Sequence, residues 1–309
     1  MKRKRIQYNE LNEEIYGPKN WSKARLIFVG IILLCFGFLF NFSLEDKINK
    51  LLIANLSNND ACPIVFEKIE LSYFLPKISI KNPVIMGSCF GQINNKLSLQ
   101  NITIALASPS IYPPGIKLHL SISEGKTKLN IYPIISLFSS YIDFKDSRID
   151  STLFAAMTNT NKSPVAGILS LEGFLKFSSG SIVDGQIDIQ SNDFHFPAQT
   201  INSFEIKLID LKRFNFSAHF ANSQNLQIDR FDIGTPNSPL ELKLKGNLIV
   251  RSSNFMNSQL LVSGPLHLST YLLTNFEFIK LFLPTGNANG TYQMKLEGPL
   301  NNLGKPEFK

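Results

Sequence analysis

The sequence predicts a mainly β protein: a single N-terminal transmembrane helix followed by an extended antiparallel β-domain, a curved open sheet or a sandwich, with a few short helices. Three observations predict it. One uncharged apolar run, Leu26–Leu44 (LIFVGIILLCFGFLFNFSL), stands alone near the N-terminus. From Cys62 onward the hydrophobic period is two, the period at which successive side chains of a strand face opposite ways. No long helical segment separates these strand-like runs, so they belong to an antiparallel sheet and not to βαβ units.

Taken in order, residues 1–25 have no apolar period and contain the breaker pair Gly17-Pro18. They carry Lys2, Arg3, Lys4, Arg5, Lys19, Lys23 and Arg25 against Glu10, Glu13 and Glu14, with Trp21 at an interfacial position. By the positive-inside rule this tail stays in the cytoplasm. At about 1.5 Å per residue the run Leu26–Leu44 spans roughly the 30 Å of a hydrocarbon core. A cleaved signal peptide would have a shorter basic region and a small-residue cleavage site, and neither is present, so the run reads as an uncleaved anchor. Leu44, Ile48, Leu51, Leu52 and Leu56 then form the stripe of an amphipathic helix, with Ser43 and Asp46 spaced as a capping box. That helix extends the anchor, lies on the membrane surface or plugs the end of the β-domain. The expected organisation is a cytoplasmic tail at 1–25, a transmembrane helix at 26–44, an amphipathic helix at 45–61 and a β-rich domain at 62–309.

Composition supports a large folded domain: 309 residues, 44% of them hydrophobic. The net charge of +7 is no nucleic-acid signal, because the N-terminal 25 residues hold seven basic and three acidic side chains. That leaves 24 basic against 21 acidic residues elsewhere, with no Lys/Arg block among them. Cys35 lies in the anchor. Cys62 and Cys89 fall beyond the membrane and bracket a hairpin, so a disulfide between them is geometrically reasonable in an oxidising compartment. His119, His195, His219 and His267 are scattered singly on strand-like segments and read as exposed strand residues.

Phe66–Phe74 and Lys77–Met86 are two strands broken at Leu75-Pro76. Leu97–Leu99, Ile102–Leu106, Ile116–Ile122 and Lys128–Ile131 continue the alternation across the turns Pro113-Pro114-Gly115 and Glu124-Gly125. Pro133–Phe144 reads as a short helix or a strand, and Thr158–Pro164 as a polar linker. Strands resume at Gly167–Phe177 and Gln186–Ile189, then at Ile201–Leu208, Phe214–Phe220, Leu226–Ile233, Leu240–Val250 and Gln259–Leu268. Ser269–Phe282 reads as a helix stopped by Pro284, and Thr291–Gly298 as a last strand.

No motif carries chemistry. There is no phosphate-binding loop, no G-x-S-x-G and no H-E-x-x-H. Glu172, Asp184, Asp188 and Asp193 lie on strands and turns with no partner that spacing selects, and read as solvated side chains. No catalytic residue, metal site or cofactor is expected. What stands out is the apolar budget, with 25 Phe and alternating Leu and Ile over many strands. It makes either an ordinary sandwich core or the apolar side of an open curved sheet able to hold acyl chains.

The order anchor, amphipathic helix, hairpin Val65–Met86 and turn PPGIKLHLSISEG resembles the type II secretion system protein N family and, more distantly, AsmA-like proteins. The strand starts GILSLEG and GNLIV, the helix YLLTNFEFIKLFLP and the closing GTYQMKLEGPL belong to the same likeness. The resemblance implies a bitopic inner-membrane protein, N-terminus cytoplasmic and β-domain periplasmic. It would be a non-enzymatic accessory part of a type II secretion system, binding other secretion-system components. The AsmA-like relation implies instead an envelope protein that binds or conducts phospholipid along a hydrophobic β-groove. A membrane-tethered hydrolase lacks any motif.

Overall fold

A computed structural model of the chain describes residues 23–41, 44–59, 62–72, 76–90, 96–110, 114–136, 139–151, 153, 163–179, 181–201, 204–251, 257–276, 283–284 and 290–308. The chain divides into two compact units, Met1–Leu52 and Ile53–Lys309.

The first unit holds two helices, α1 (Lys23–Asn41) and α2 (Leu44–Leu52). The expected 26–44 helix is therefore shifted toward the N-terminus, and Leu44 opens the next element. In α1 the side chains described are those of 25–34 and Gly37, and Leu26, Ile27, Phe28, Leu33 and Leu34 are all more than half exposed. Among the described residues no helix is long and apolar enough to cross a membrane.

The second unit begins with a π-helical turn at Ile53–Ser57, a correction to the expected α-helix 45–61. Asn55, Ser57, Asn58 and Asn59 are short polar residues that compete for backbone groups and end helices. Here the Ser57 hydroxyl donates to the Ile64 carbonyl at 2.9 Å.

The strands are β1 (Ile64–Val65), β2 (Lys68–Ser72), β3 (Lys77–Lys81), β4 (Val84–Met86), β5 (Lys96–Ser98), β6 (Asn101–Ser110), β7 (Gly115–Glu124), β8 (Thr127–Ser136), β9 (Ser140–Asp150) and β10 (Ile168–Ser178). They continue as β11 (Ser181–Phe196), β12 (Gln199–Ile201), β13 (Phe204–Ile206), β14 (Ile209–Asn222), β15 (Asn225–Ile233), β16 (Leu240–Ile249), β17 (Gln259–Leu268), β18 (Thr291–Pro299) and β19 (Glu307–Phe308). Fourteen of them form one sheet in the order β19-β18-β17-β16-β15-β14-β11-β10-β9-β8-β7-β6-β3-β2. Every pairing is antiparallel, so the sheet is a meander whose order ends at β2 and β19. No second large sheet is present among the described residues, so the strands do not divide into a sandwich.

Two excursions leave the meander. The pair β12–β13 is a separate hairpin, which explains why β14 lies beside β11 and why the expected strand 201–208 is broken. The second excursion starts where the expected strand Lys77–Met86 bends. Asn82 takes the left-handed φ of 48°, and Pro83 has no amide proton to give to a ladder. The β3–β6 pairing ends at Lys81 opposite Asn101. Beyond it the chain keeps pairing in a new direction, through the Leu99 amide on the Pro83 carbonyl (2.9 Å) and Val84 opposite Ser98. This makes the three-stranded sheet β1-β4-β5. Cys62, just before β1, is joined to Cys89, just after β4, with Cα atoms 4.5 Å apart.

Of the expected helix or strand Pro133–Phe144, residues 133–136 end β8 and 140–144 open β9, while 137–138 lie outside the described residues. The late helix α3 is shorter than expected, Thr270–Asn275, with the Ser269 side chain accepting from the Leu272 amide as N-cap. Residues 277–282 of that expectation, most of the 158–164 linker and the Leu75 break lie outside the described residues.

Candidate functional site

The alternation of the strands places one apolar row across the sheet from β2 to β18. Leu71 lies opposite Ile78, Ile78 opposite Ile104, Ile104 opposite Leu120, Leu120 opposite Ile131 and Ile131 opposite Phe144. The row continues through Gly173, Ile187, Ala218, Ile228, Gly246, Val262 and Leu296 without a polar member. Parallel rows flank it, such as Ile80, Ile102, Ile122 and Leu129 on one side. Register slips by one residue would turn the row outward, so the match over so many strands is a property of the fold and not of one hairpin. With strands about 4.8 Å apart, fourteen of them extend this face roughly 60 Å.

Burial divides the face. In β15–β18 the side chains are closed in: Ile228 is 6% exposed, Leu244 4%, Val262 5% and Tyr292 5%. Leu272 and Phe276, from α3 and its C-cap, join the same cluster and cover part of that face. In β6–β9 no member of the apolar face is buried. Ile102, Ile104, Leu118, Leu120, Ile122, Leu129, Ile131, Ile142 and Phe144 are half-buried, and Leu106, Ile116 and Ile135 are about half exposed.

The opposite side of β6–β9 is where burial occurs, and it is largely polar. Asn130 accepts from Ser121 Oγ at 3.0 Å and donates to the Asp146 carbonyl at 3.1 Å. Its backbone amide donates to Ser147 Oγ at 2.9 Å. Asp143, also buried, holds Lys145 at 2.6 Å, and that hydrogen bond keeps the Lys145 ammonium charged to higher pH than usual. His119 stacks on Tyr132 at 4.6 Å, with Lys117 over the same ring at 5.0 Å. It is therefore half-buried and not the exposed residue its isolated position in the sequence predicts.

No protein-family model, curated protein or solved structure matches the chain. The chemistry of the site is therefore judged from its own residues.

The carboxylates and histidines singled out in the sequence are brought together only in pairs. Asp188 accepts from Ser217 at 2.6 Å and from Gln186 at 2.8 Å. His219 Nδ1 is 2.6 Å from Asp229. Ser217 and His219 thus face different carboxylates and do not make a nucleophile and base. Glu172 lies opposite Asp188 in register and lines a pocket of about 350 Å³ beside Asp143, Lys145 and Phe174. Asp184 pairs in register with Lys176. Burial pushes the Asp193 carboxyl up, but hydrogen bonds from the Ile168 amide and the Ser191 hydroxyl outweigh it and hold the group below its ordinary value. His195 Nδ1 donates to the Asp193 carbonyl and His267 meets Thr291 Oγ1. Among the described residues no three His, Cys, Asp or Glu side chains are grouped to hold a metal ion.

Of the topogenic set, Lys2, Arg3, Lys4, Arg5 and Lys19 lie outside the described residues, Lys23 is the first residue of α1 and Arg25 is exposed. Sequence reasoning missed the role of the glycines inside the apolar row. Gly173 and Gly246 have φ of 147° and 159°, and a Cβ at either would meet a carbonyl oxygen of the neighbouring strand, that of Gln186 or Leu261. Such glycines let strands approach and coil more tightly than side chains allow. The signal was present as G-x-L strand starts, which spacing alone does not distinguish from turns.

Proposed function

We propose that this protein is a non-enzymatic, single-pass envelope protein whose β-domain holds acyl chains of phospholipid on the apolar face of β6–β9. One observation carries the reading: in these strands no aliphatic side chain of the apolar face is fully buried and Leu106, Ile116 and Ile135 are about half exposed, while Asn130, Asp143 and Ser147 behind them are buried. A folded domain ordinarily arranges the reverse, and a contiguous apolar patch left to solvent marks a surface with an occupant. The dimensions suit an acyl chain. Four strands at about 4.8 Å cover roughly 19 Å, and one chain takes about half of a 30 Å bilayer core. The middle of this face is aliphatic and its polar side chains, Ser140 at one strand end and Glu124 and Thr127 at the other, lie at the rim, where a headgroup would stay.

The anchor belongs to the same proposal. Support comes from the helical course of Lys23–Asn41 over an uncharged run and from the basic tail before it. The Cys62–Cys89 bond fits an oxidising compartment beyond a bacterial inner membrane.

The test is native mass spectrometry of the full chain released from detergent micelles. Phospholipid bound at stoichiometric level is expected, and it should be lost in Leu120→Asp while circular dichroism stays unchanged. A lipid-free mass for the parent chain would sink the proposal.

A second reading, an accessory role in a type II secretion system, is favoured by the sheet edge. Among the described residues β19 pairs with β18 at Met294 and Lys295, a two-residue edge strand that a partner strand could extend. Cross-linking from Gln293 to a secretion-system component would support it, and lipid binding without any such adduct would count against it.

A further inference from the structure

The exposed apolar side chains of the open half are not spread evenly. Leu106, Ile116 and Ile135 are 48%, 56% and 57% exposed, and all three lie at the same end of β6, β7 and β8. Ile116 stands directly opposite Ile135, and Leu106 opposite Leu118, the next residue on the same face of β7. The three therefore form one patch at a strand end and not isolated surface residues.

Charge is equally uneven. From residue 71 to residue 142 the sequence contains Lys77, Lys81, Lys96, Lys117, Lys126 and Lys128, no Arg, and a single acidic residue, Glu124. Glu124 closes β7 at the end away from the patch. Lys77 is exposed and pairs in register with Ala105, one residue from Leu106, while Lys117 lies between Ile116 and Leu118. Both sit on the polar face, from which long side chains can extend to a headgroup layer while the aliphatic residues point elsewhere. The remaining residues of β6, β7 and β8 at that end, such as Ser108, Ser110 and Ser136, are neutral.

We infer that this end of β6–β7–β8 docks on a bilayer surface of net negative charge, with Leu106, Ile116 and Ile135 entering the interface and Lys77 and Lys117 meeting anionic headgroups. Apolar residues flanked by cations, with no anion among them, match an anionic lipid surface in both respects. A neutral protein partner would have no use for the cations. The inference stands whether or not β6–β9 carry acyl chains, since it concerns the strand end and not the length of the face.

The experiment uses the full chain with Trp21→Phe, removing its one tryptophan, and Ile116→Trp as reporter. The protein is placed in nanodiscs of phosphatidylcholine, alone or mixed with phosphatidylglycerol, all with brominated acyl chains. In a second arm, brominated vesicles of the same two compositions are added to protein held in unbrominated nanodiscs. Quenching of the reporter's fluorescence by the mixed lipid in either arm, and its loss at high salt, is expected. In the vesicle arm, Lys77→Gln with Lys117→Gln should raise the lipid concentration needed for half-quenching roughly 30-fold. Lys126→Gln with Lys128→Gln, at the opposite strand end, should leave it unchanged, and circular dichroism verifies folding of each variant. Absence of quenching in both arms, equal quenching by neutral lipid, or equal loss from the two lysine pairs would overturn the inference. So would a blue shift that grows with protein concentration without anionic lipid, because a second copy would then cover the patch.

Discussion

Strands β6–β9 and β15–β18 are built on one pattern and end in opposite states. In both, Leu and Ile alternate with polar residues and meet across strands in the same rows. In β15–β18 the aliphatic face is buried against itself and α3. In β6–β9 it is half-buried, with Leu106, Ile116 and Ile135 exposed, and the buried residues are Thr127, Asn130, Asp143 and Ser147 with Ile134. Two features accompany the difference: α3 covers part of the closed face, and glycines stand in the middle of its strands. Gly246 and Gly264 interrupt β16 and β17 where a Cβ would meet the Leu261 and Lys243 carbonyl oxygens, so the strands there coil closely. Strands β6, β8 and β9 contain no glycine, and that of β7 is its first residue. Alternation therefore defines which face is apolar, while what packs over that face, α3 in the case of β15–β18, goes with its becoming core.

The largest effect expected is a charge placed on the closed face. Leu242→Asp should cost at least about 4 kcal/mol and leave the β-domain unfolded, because the carboxylate would be buried among Leu244, Leu266 and Leu268 with no partner. Leu120→Asp, at a half-buried position of the open face, should melt within a few degrees of the parent by circular dichroism. Equal unfolding in both variants would erase the distinction between the two regions.

Opening the Cys62–Cys89 bond comes next. It closes a loop of sequence separation 27, and Cys89→Ser should destabilise the three-stranded sheet by about 3 to 4 kcal/mol on the loop-entropy account. Hydrogen exchange should show faster opening at Ile64, Ile85 and Leu97 than in β15–β18. Uniform acceleration throughout would mean that the small sheet and the meander unfold together.

Gly246→Ala should cost about 1 to 3 kcal/mol, since φ near 159° and a blocking carbonyl oppose a side chain. The same change at Gly125, in the exposed β7–β8 turn with open space around it, meets only the strain of φ 53°. Comparing the two melting temperatures isolates the part of the cost due to strand approach.

The smallest effect is at Asp193, beside the bulge that separates Ser191 from Phe194 in β11. Its carboxyl is held below the ordinary value of 3.8, so the folded state favours the charged form. The contribution is full above the unfolded value and fades as pH falls through the folded one. Asp193→Asn should therefore remove a small acid-side dependence of stability, worth less than about 1 kcal/mol for so exposed a group. An unchanged pH profile would show that the Ile168 and Ser191 hydrogen bonds are not maintained in solution.

Much of the fold was legible because period two is a local signal. The hairpin at Glu124-Gly125 and the strands from Phe214 to Leu268 follow directly from it, whereas Asp184-Gly185, which reads as a turn in the sequence, lies inside β11 with Asp184 opposite Lys176. The long antiparallel sheet follows from the lack of helices between strands. What was not legible depended on contacts distant in sequence. The bend at Asn82-Pro83 reads as part of one strand until Leu99 is seen to pair with Pro83. The helix expected through residue 61 continues from α2 as a π-helical turn that ends at Ser57, whose hydroxyl donates to the Ile64 carbonyl. At the site, alternation identified the apolar face but could not separate Leu242 from Leu120. Both occupy equivalent places in the pattern, but α3 packs into the cluster that holds Leu242.

The measurement that tests the central claim most directly is photocross-linking in intact cells with benzoylphenylalanine at Leu118 and, as the matched control, at Leu244. A phospholipid adduct at position 118 and none at position 244 is the predicted result. No lipid adduct at 118, or the same adduct at both positions, would contradict the assignment of β6–β9 as the lipid-holding face.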